Sequence, residues 1–298
     1  MRTPVPNTDH LTMIRRAFAT QMLGNMGVVN ERLHAALASV PREVFLGQAP
    51  WSILKVPGGS QTLPSNDPIY AYQDVLFALS PERGVNNGSP SLHARMLHEL
   101  WVLPRHRVLH IGAGTGYYTA ILAELVGPSG RITAVEIDPE LAAIARENLK
   151  PWANVEVVCG DGADWPMTAV DRIYVNFAVA EPAKSWLDHL MEDGRLIFPL
   201  GVCTVRMPEG RPRHSTHGGV LSIIRKPAGY AAKWLCSASF VCSEGALTAN
   251  GEDQFRLRQA FERGGMEFVG SLQWGKPTDP SRSWFWTPRW SLSFDRLR

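Results

Sequence analysis

The sequence predicts an α/β protein with a doubly wound, mostly parallel sheet, entered through N-terminal helices and left through a β-rich C-terminal extension. Three observations carry this reading. Residues 107–136 run as a short Val/Leu/Ile-rich strand, three glycines at alternate positions (Gly112, Gly114, Gly116), a helical stretch and a second strand ending in Glu136. Further short apolar strands at 155–158, 172–175 and 195–199 then follow, separated by helical patterns, which is the signature of a parallel sheet with helices on its faces. Beyond Gly201 the periodicity changes to loose alternation, and the last fifty-odd residues are rich in Trp.

In chain order, residues 1–48 form a helical segment: Leu11, Ile14, Phe18 and Met22, then Leu33 and Leu37, recur at helical spacing around a break at 25–27. Pro41 stops the second helix, and Val44, Phe45 and Leu46 are expected in the core. Residues 47–68, rich in Gly, Pro, Ser and Asn, read as a loop. Residues 84–94 read in isolation as a surface turn opening a helix over 91–100, with Ser89 or Ser91 as N-cap. After the strand at 107–111, Tyr118, Ile121, Leu122 and Leu125 form a helix face that the 127–130 turn closes. Pro139 sits in the first turn of the next helix, whose apolar face is Leu141, Ile144, Ala145 and Leu149. A helix over 184–191 closes at Gly194. Residues 205–217 form a basic loop with Arg206, Arg211, Arg213 and His214, and a hairpin pairs 221–225 with 234–241. A helix over 254–263 ends at Gly264-Gly265. In the tail, Trp284 and Trp286, then Trp290, Leu292 and Phe294, are expected to pack strand faces on the body, with Trp274 ahead of them. These boundaries divide the chain into an N-terminal helical segment (1–48), a central domain (49–245) and an extension (246–298).

Composition narrows the function classes. A chain of 298 residues is long enough to bury a substantial core, and its net charge of +2 gives no bulk argument for nucleic acid or membrane as a partner. No apolar run approaches the roughly 18 residues of a membrane helix. Cys159, Cys203, Cys236 and Cys242 contain no C-x-x-C pair. They read as four reduced thiols, neither a metal site nor a disulfide frame, and favour the cytoplasm.

The unit at 107–136 holds a nucleoside: glycines let the backbone approach the ligand, a helix N-terminus offers free N–H groups, and Glu136 can accept from both ribose hydroxyls. Dinucleotide folds usually space their glycines G-x-G-x-x-G, whereas this chain has G-x-G-x-G. That spacing resembles motif I of class I methyltransferases, Rossmann-like enzymes that use S-adenosylmethionine (SAM). The resemblance extends to Gly160-Asp161-Gly162, which would lie near adenine, and to the strand ending in Asn176, which would lie beside the methyl donor.

A closer resemblance covers about 33–246. Residues 40–46 (VPREVFL), 71–74 (AYQD) and 84–94 (GVNNGSPSLHA) are similar to segments of the protein-L-isoaspartate O-methyltransferases. Membership implies SAM-dependent methylation of an aspartyl or isoaspartyl carboxylate on a protein or peptide. It assigns Gly112, Gly114, Gly116, Glu136, Asp161 and Gly162 to the cofactor, and Ser89, His93 and Asn176 to the reacting centre, with no metal. A carboxylate is already nucleophilic at neutral pH, so no catalytic base is required. One departure stands out: where the family loop carries T-I-S, this chain has Asn86-Asn87-Gly88, so the loop hydroxyl is missing at Gly88 and general repair is expected to be weak. The alternatives are a dedicated peptide in natural-product maturation, or a SAM-binding partner protein without turnover.

Overall fold

The computed structural model describes residues 8–55, 59–80, 85–203, 214–248, 251–275 and 279–297. Gly84 and the arginines of the expected basic loop, Arg206, Arg211 and Arg213, lie outside them. The chain opens with α1 (Thr8–Asn25) and α2 (Glu31–Ser39), packed on each other; Asn30 caps α2 by accepting from Leu33 N. A 3-10 turn, Arg42–Phe45, follows. Then come two small hairpins, β1 (Ser52–Leu54) with β2 (Ser60–Thr62) and β3 (Ala78–Ser80) with β4 (Val85–Asn86). The region expected as a loop therefore contains strands. They are three residues long or shorter and only partly buried or exposed, so they leave no alternation to read.

Helix α3 (Pro90–Leu100) leads into the α/β core: β5 (Arg107–Ile111), α4 (Tyr117–Val126), β6 (Arg131–Glu136), α5 (Pro139–Asn148), β7 (Val155–Cys159), β8 (Val170–Val175), α6 (Lys184–Asp188) and β9 (Leu190–Cys203). The hairpin β10 (Ser215–Lys226) and β11 (Gly229–Ser237) follows, then α7 (Gly251–Arg263), β12 (Ser271–Trp274), β13 (Ser283–Trp286) and β14 (Trp290–Ser293). One ten-stranded sheet takes the order β13-β14-β12-β11-β10-β9-β8-β5-β6-β7. The run from β7 to β9 is parallel, and from β9 to β13 every pairing is antiparallel. The C-terminal strands thus continue the same sheet. Trp284 and Trp290 are fully buried, packed with Phe261 of α7 and Phe285.

Several local expectations change. The helix expected over 184–191 stops at Asp188 because Leu190 pairs with Val170 as a strand, and Gly194 lies inside β9, where a Cβ would meet Met191 O at 2.5 Å. Ile144, Val44 and Phe294 are exposed rather than core. Cys203 and Cys242 form a disulfide, which corrects the reading of four free thiols; Cys159 and Cys236 remain free. Their separation of 39 residues hides the pair from any local motif: the end of β9 and the segment after β11 meet only in the folded sheet. The argument from cysteines to the cytoplasm loses its premise. Among the described residues, no helix is long and apolar enough to cross a membrane.

Arg42 is fully buried at the junction of the N-terminal helices and the core. Its Nη1 donates to Ala71 O (2.8 Å) and Gln73 O (2.6 Å), and Nη2 to Val75 O (3.2 Å), while the guanidinium lies over the rings of Phe18, Phe77 and Tyr117. Removing it would strand three carbonyls and leave a void. Arg42→Ala is expected to destabilise by about 3–5 kcal/mol, read as a lowered denaturation midpoint. Cys242→Ser is expected to cost about 2–4 kcal/mol in oxidising buffer and little once wild type is also reduced, by the same measurement.

Candidate functional site

The site lies at the carboxyl ends of the parallel strands, where chain order reverses between β5 and β8, the usual location of ligands in open α/β sheets. A cavity of about 610 Å³ opens there, within the range of small-molecule sites. Its floor is the turn after β5. Gly112 N donates to Val135 O, and Gly114 N donates to Glu136 Oε2 at 2.7 Å. Gly114 holds φ +56°, and a Cβ there would point into near-open space, with Leu79 as nearest neighbour at 3.8 Å. The turn needs glycine for its backbone conformation and presents bare main chain to the cavity.

Glu136, buried at the end of β6, also accepts from Asp138 N at 3.0 Å through Oε1. Burial pushes its carboxyl above the usual carboxylate range, against the pull of the Asp138 and Gly114 N–H groups. Asp138 caps α5 by accepting from Glu140 N and Leu141 N.

Asp161 and Gly162 line the far wall. Asp161 Oδ1 accepts from Ala163 N and Oδ2 from Ala246 N at 2.8 Å, so the segment following β11 closes over this carboxylate. That segment is drawn in by main-chain bonds: Ala178 N donates to Val241 O and Ser243 N to Ala178 O. Phe240, Val241 and Cys242 become cavity wall. Sequence reasoning missed these, since they belong to no motif and arrive through the disulfide and the sheet.

Asn176 follows β8 and donates from Nδ2 to His110 Nε2 at 2.8 Å; His110 Nδ1 in turn donates to Thr119 Oγ1. Burial pushes His110 down to about 3, so it is neutral at physiological pH. Among the described residues, Asn176 Oδ1 is buried without a hydrogen-bond partner, as are Asn87 Nδ2 and Tyr118 Oη, all three residues lining the cavity. Unsatisfied polar atoms gathered at one cavity are the mark of a site whose ligand completes their bonding.

The loop over the site is tied from below. Asp74 Oδ1 accepts from Ser91 N and from Ser89 Oγ, both at 3.1 Å, and so serves as the cap of α3 from fifteen residues away. Ser89 lines the cavity, but its proton is directed to Asp74. Asn87 Oδ1 accepts from Phe77 N, and Asn86 Oδ1 from Gly88 N. His93 is buried: its ring stacks on Tyr118 (3.8 Å between centroids, 5° between planes), and Nδ1 lies 2.6 Å from Tyr174 Oη. Of the expected site residues, Ser89, His93, Gly112, Gly114, Glu136, Asp161, Gly162 and Asn176 converge on the cavity. Gly116 does not line it; it precedes α4 and faces Leu149.

Comparison with known proteins agrees with this geometry. The family described as Protein-L-isoaspartate(D-aspartate) O-methyltransferase matches residues 16–209. The chain is similar to the protein-L-isoaspartate O-methyltransferase of Aeropyrum pernix, 35% identical over 220 residues, covering 70% of this chain and 77% of that protein. Protein-L-isoaspartate O-methyltransferase 2 of Rhodopseudomonas palustris is 38% identical over 175 residues, covering 57% and 73%. A solved protein-L-isoaspartate O-methyltransferase superposes with a TM-score of 0.62 at 26% identity, covering 78% of this chain and 67% of the other.

Proposed function

The chain belongs to the protein-L-isoaspartate O-methyltransferase family, and on that footing we propose how its residues carry the reaction. It is a SAM-dependent methyltransferase acting on isoaspartyl carboxylates of proteins. The observation that carries the cofactor assignment is the buried Glu136 carboxylate, fixed by two backbone N–H groups at the lip of a glycine turn. Each carboxylate oxygen keeps lone pairs for ribose hydroxyls. Gly112 and Gly114 would face the amino acid end of SAM, Asp161 and Gly162 its adenine, and Asn176 Oδ1 the neighbourhood of the methyl group. When bound, SAM supplies a methyl on a sulfonium.

The protein's own contribution is alignment and exclusion of water. Ser89 and Asp74 hold the loop, and residues 86–93 cover the cavity from the side of the acceptor. Positioning of two reactants at near-attack distance is worth roughly 7–11 kcal/mol when well achieved. No proton has to move, because the acceptor is already an anion. The acceptor is a protein or peptide carboxylate, and a net charge of +2 supports no role for nucleic acid.

Three outcomes test this. Methyl transferred from SAM to an isoaspartyl peptide should be released as volatile methanol in mild alkali, because the product is an ester; alkali-stable label would defeat the assignment. Glu136→Ala should weaken SAM binding by roughly 10- to 100-fold in calorimetry. In wild type, affinity should hold near neutrality and fall as pH drops through the raised Glu136 value, because the protonated carboxyl accepts more weakly; the variant should lose that dependence.

A further inference from the structure

Gly88 and His93 share one volume. Gly88 sits at φ +72°, and a Cβ built on it would lie 2.1 Å from His93 Nε2, with Cδ2 at 2.7 Å and Cε1 at 3.2 Å. Under 3.0 Å no real side chain fits, so any residue other than glycine at 88 must displace the imidazole. The ring cannot yield easily. It is stacked against Tyr118 and held at Nδ1 by Tyr174, in a residue only 3% exposed. The place from which a side chain at 88 would reach the site is therefore already taken by the Nε2 edge of His93.

The hydrogen-bond geometry favours one tautomer. Tyr174 Oη has two neighbours able to accept, His93 Nδ1 at 2.6 Å and Met96 Sδ at 3.9 Å. An imidazole nitrogen is a better acceptor than a thioether and lies closer, which favours donation from the phenol to Nδ1 and a ring hydrogen on Nε2. Nε2 has no hydrogen-bond partner among the described residues, and His93 lines the cavity with Gly88, Asn87 and Ser89.

We propose, resting on the carboxyl methyltransferase reading above, that the Nε2–H of His93 replaces the absent loop hydroxyl and donates the hydrogen bond that orients the acceptor carboxylate. The acceptor oxygen then forms its bond to the methyl carbon as the carbon–sulfur bond breaks, its electron pair remaining on sulfur. No proton is transferred, so a donor that keeps its hydrogen is what the step requires. A neutral donor also suits it better than a cation, which would pair with the carboxylate and blunt its nucleophilicity. Burial, with the positive charge of Arg42 nearby, pushes His93 down to about 3 and keeps it neutral. Because the imidazole fills that space, Gly88→Ser alone should damage the site rather than supply the missing hydroxyl.

The test is a four-variant cycle: His93→Ala, His93→Gln, Gly88→Ser, and Gly88→Ser combined with His93→Ala. It is read by steady-state methylation of an isoaspartyl peptide, by SAM affinity and by melting temperature. His93→Ala should lower kcat/KM for the peptide at least tenfold with SAM affinity within about twofold, and His93→Gln, which keeps a donor, should retain more activity. Gly88→Ser alone should lose activity and melt lower, whereas adding it to His93→Ala should recover activity and cost less in melting temperature. The wild-type pH profile should show no group titrating near 6 to 7 that His93→Gln removes. Multiplicative losses in the double variant, normal peptide kinetics in His93→Ala, or such a titrating group would each overturn the proposal. Failure of wild type to methylate any carboxylate would instead defeat the reading beneath it. In that case the melting temperatures still decide whether Gly88 and His93 share the volume, and a donor role for His93 would fall with the reaction.

Discussion

The site depends on a buried guanidinium that touches none of the cavity-lining loop. Arg42 gathers the carbonyls of Ala71, Gln73 and Val75 onto one planar fork, and Asp74 sits in the middle of that run. Asp74 holds the first turn of α3 and Ser89, and the loop ahead of α3 covers the cavity. A charge this deep is costly, and burial lowers its pKa accordingly. Three charge-assisted bonds and three aromatic faces offset that cost. A lysine, with a compact ammonium in place of the planar fork, could not serve the same three carbonyls in this geometry. The Arg of the VPRE segment is thus the foundation of a loop that begins more than forty residues later.

A second theme is the use of neutral imidazoles. His110 and His93 are both buried, both pushed well below the ordinary histidine range, and both locked by a hydroxyl at Nδ1. One holds Asn176 in place; the other faces the loop. Neither adds positive charge where a cationic methyl donor and an anionic acceptor must meet. Desolvation thereby shapes the chemistry without any group having to titrate.

The parallel half of the fold was legible because its signals are local. A glycine turn between an apolar strand and a helix, an acid at the next strand's end and Pro139 opening α5 all lie within a few residues of one another. Glu136 could be placed at the site on the same grounds, and Asp161 and Asn176 through the resemblance to class I methyltransferases. What was not legible depends on partners distant in sequence. Ser89 is the N-cap residue of α3 as expected, but the side chain that accepts from the helix's first turn is Asp74's. The disulfide joins Cys203 to Cys242. The wall at 240–242 reaches the cavity through Ala178. Gly88 illustrates the limit most plainly: its sequence context shows a missing hydroxyl, and only the fold shows the imidazole standing in that space.

The way the C-terminal strands join the sheet bears on where this chain could be cut. The family match ends at residue 209, before the hairpin that carries the sheet onward. In the folded chain β11 is an interior strand, its far side paired through Tyr230 and Ala231 with β12. Trp234 of β11 packs against Phe261 and Trp284. A chain shortened at about residue 245 would turn that interior strand into a raw edge and strip the cover from Trp234. Open backbone donors beside bare aromatic surface are a template for self-association. The Trp-rich extension is therefore also the hem of the sheet, and an engineered minimal domain would need some other finish along β11.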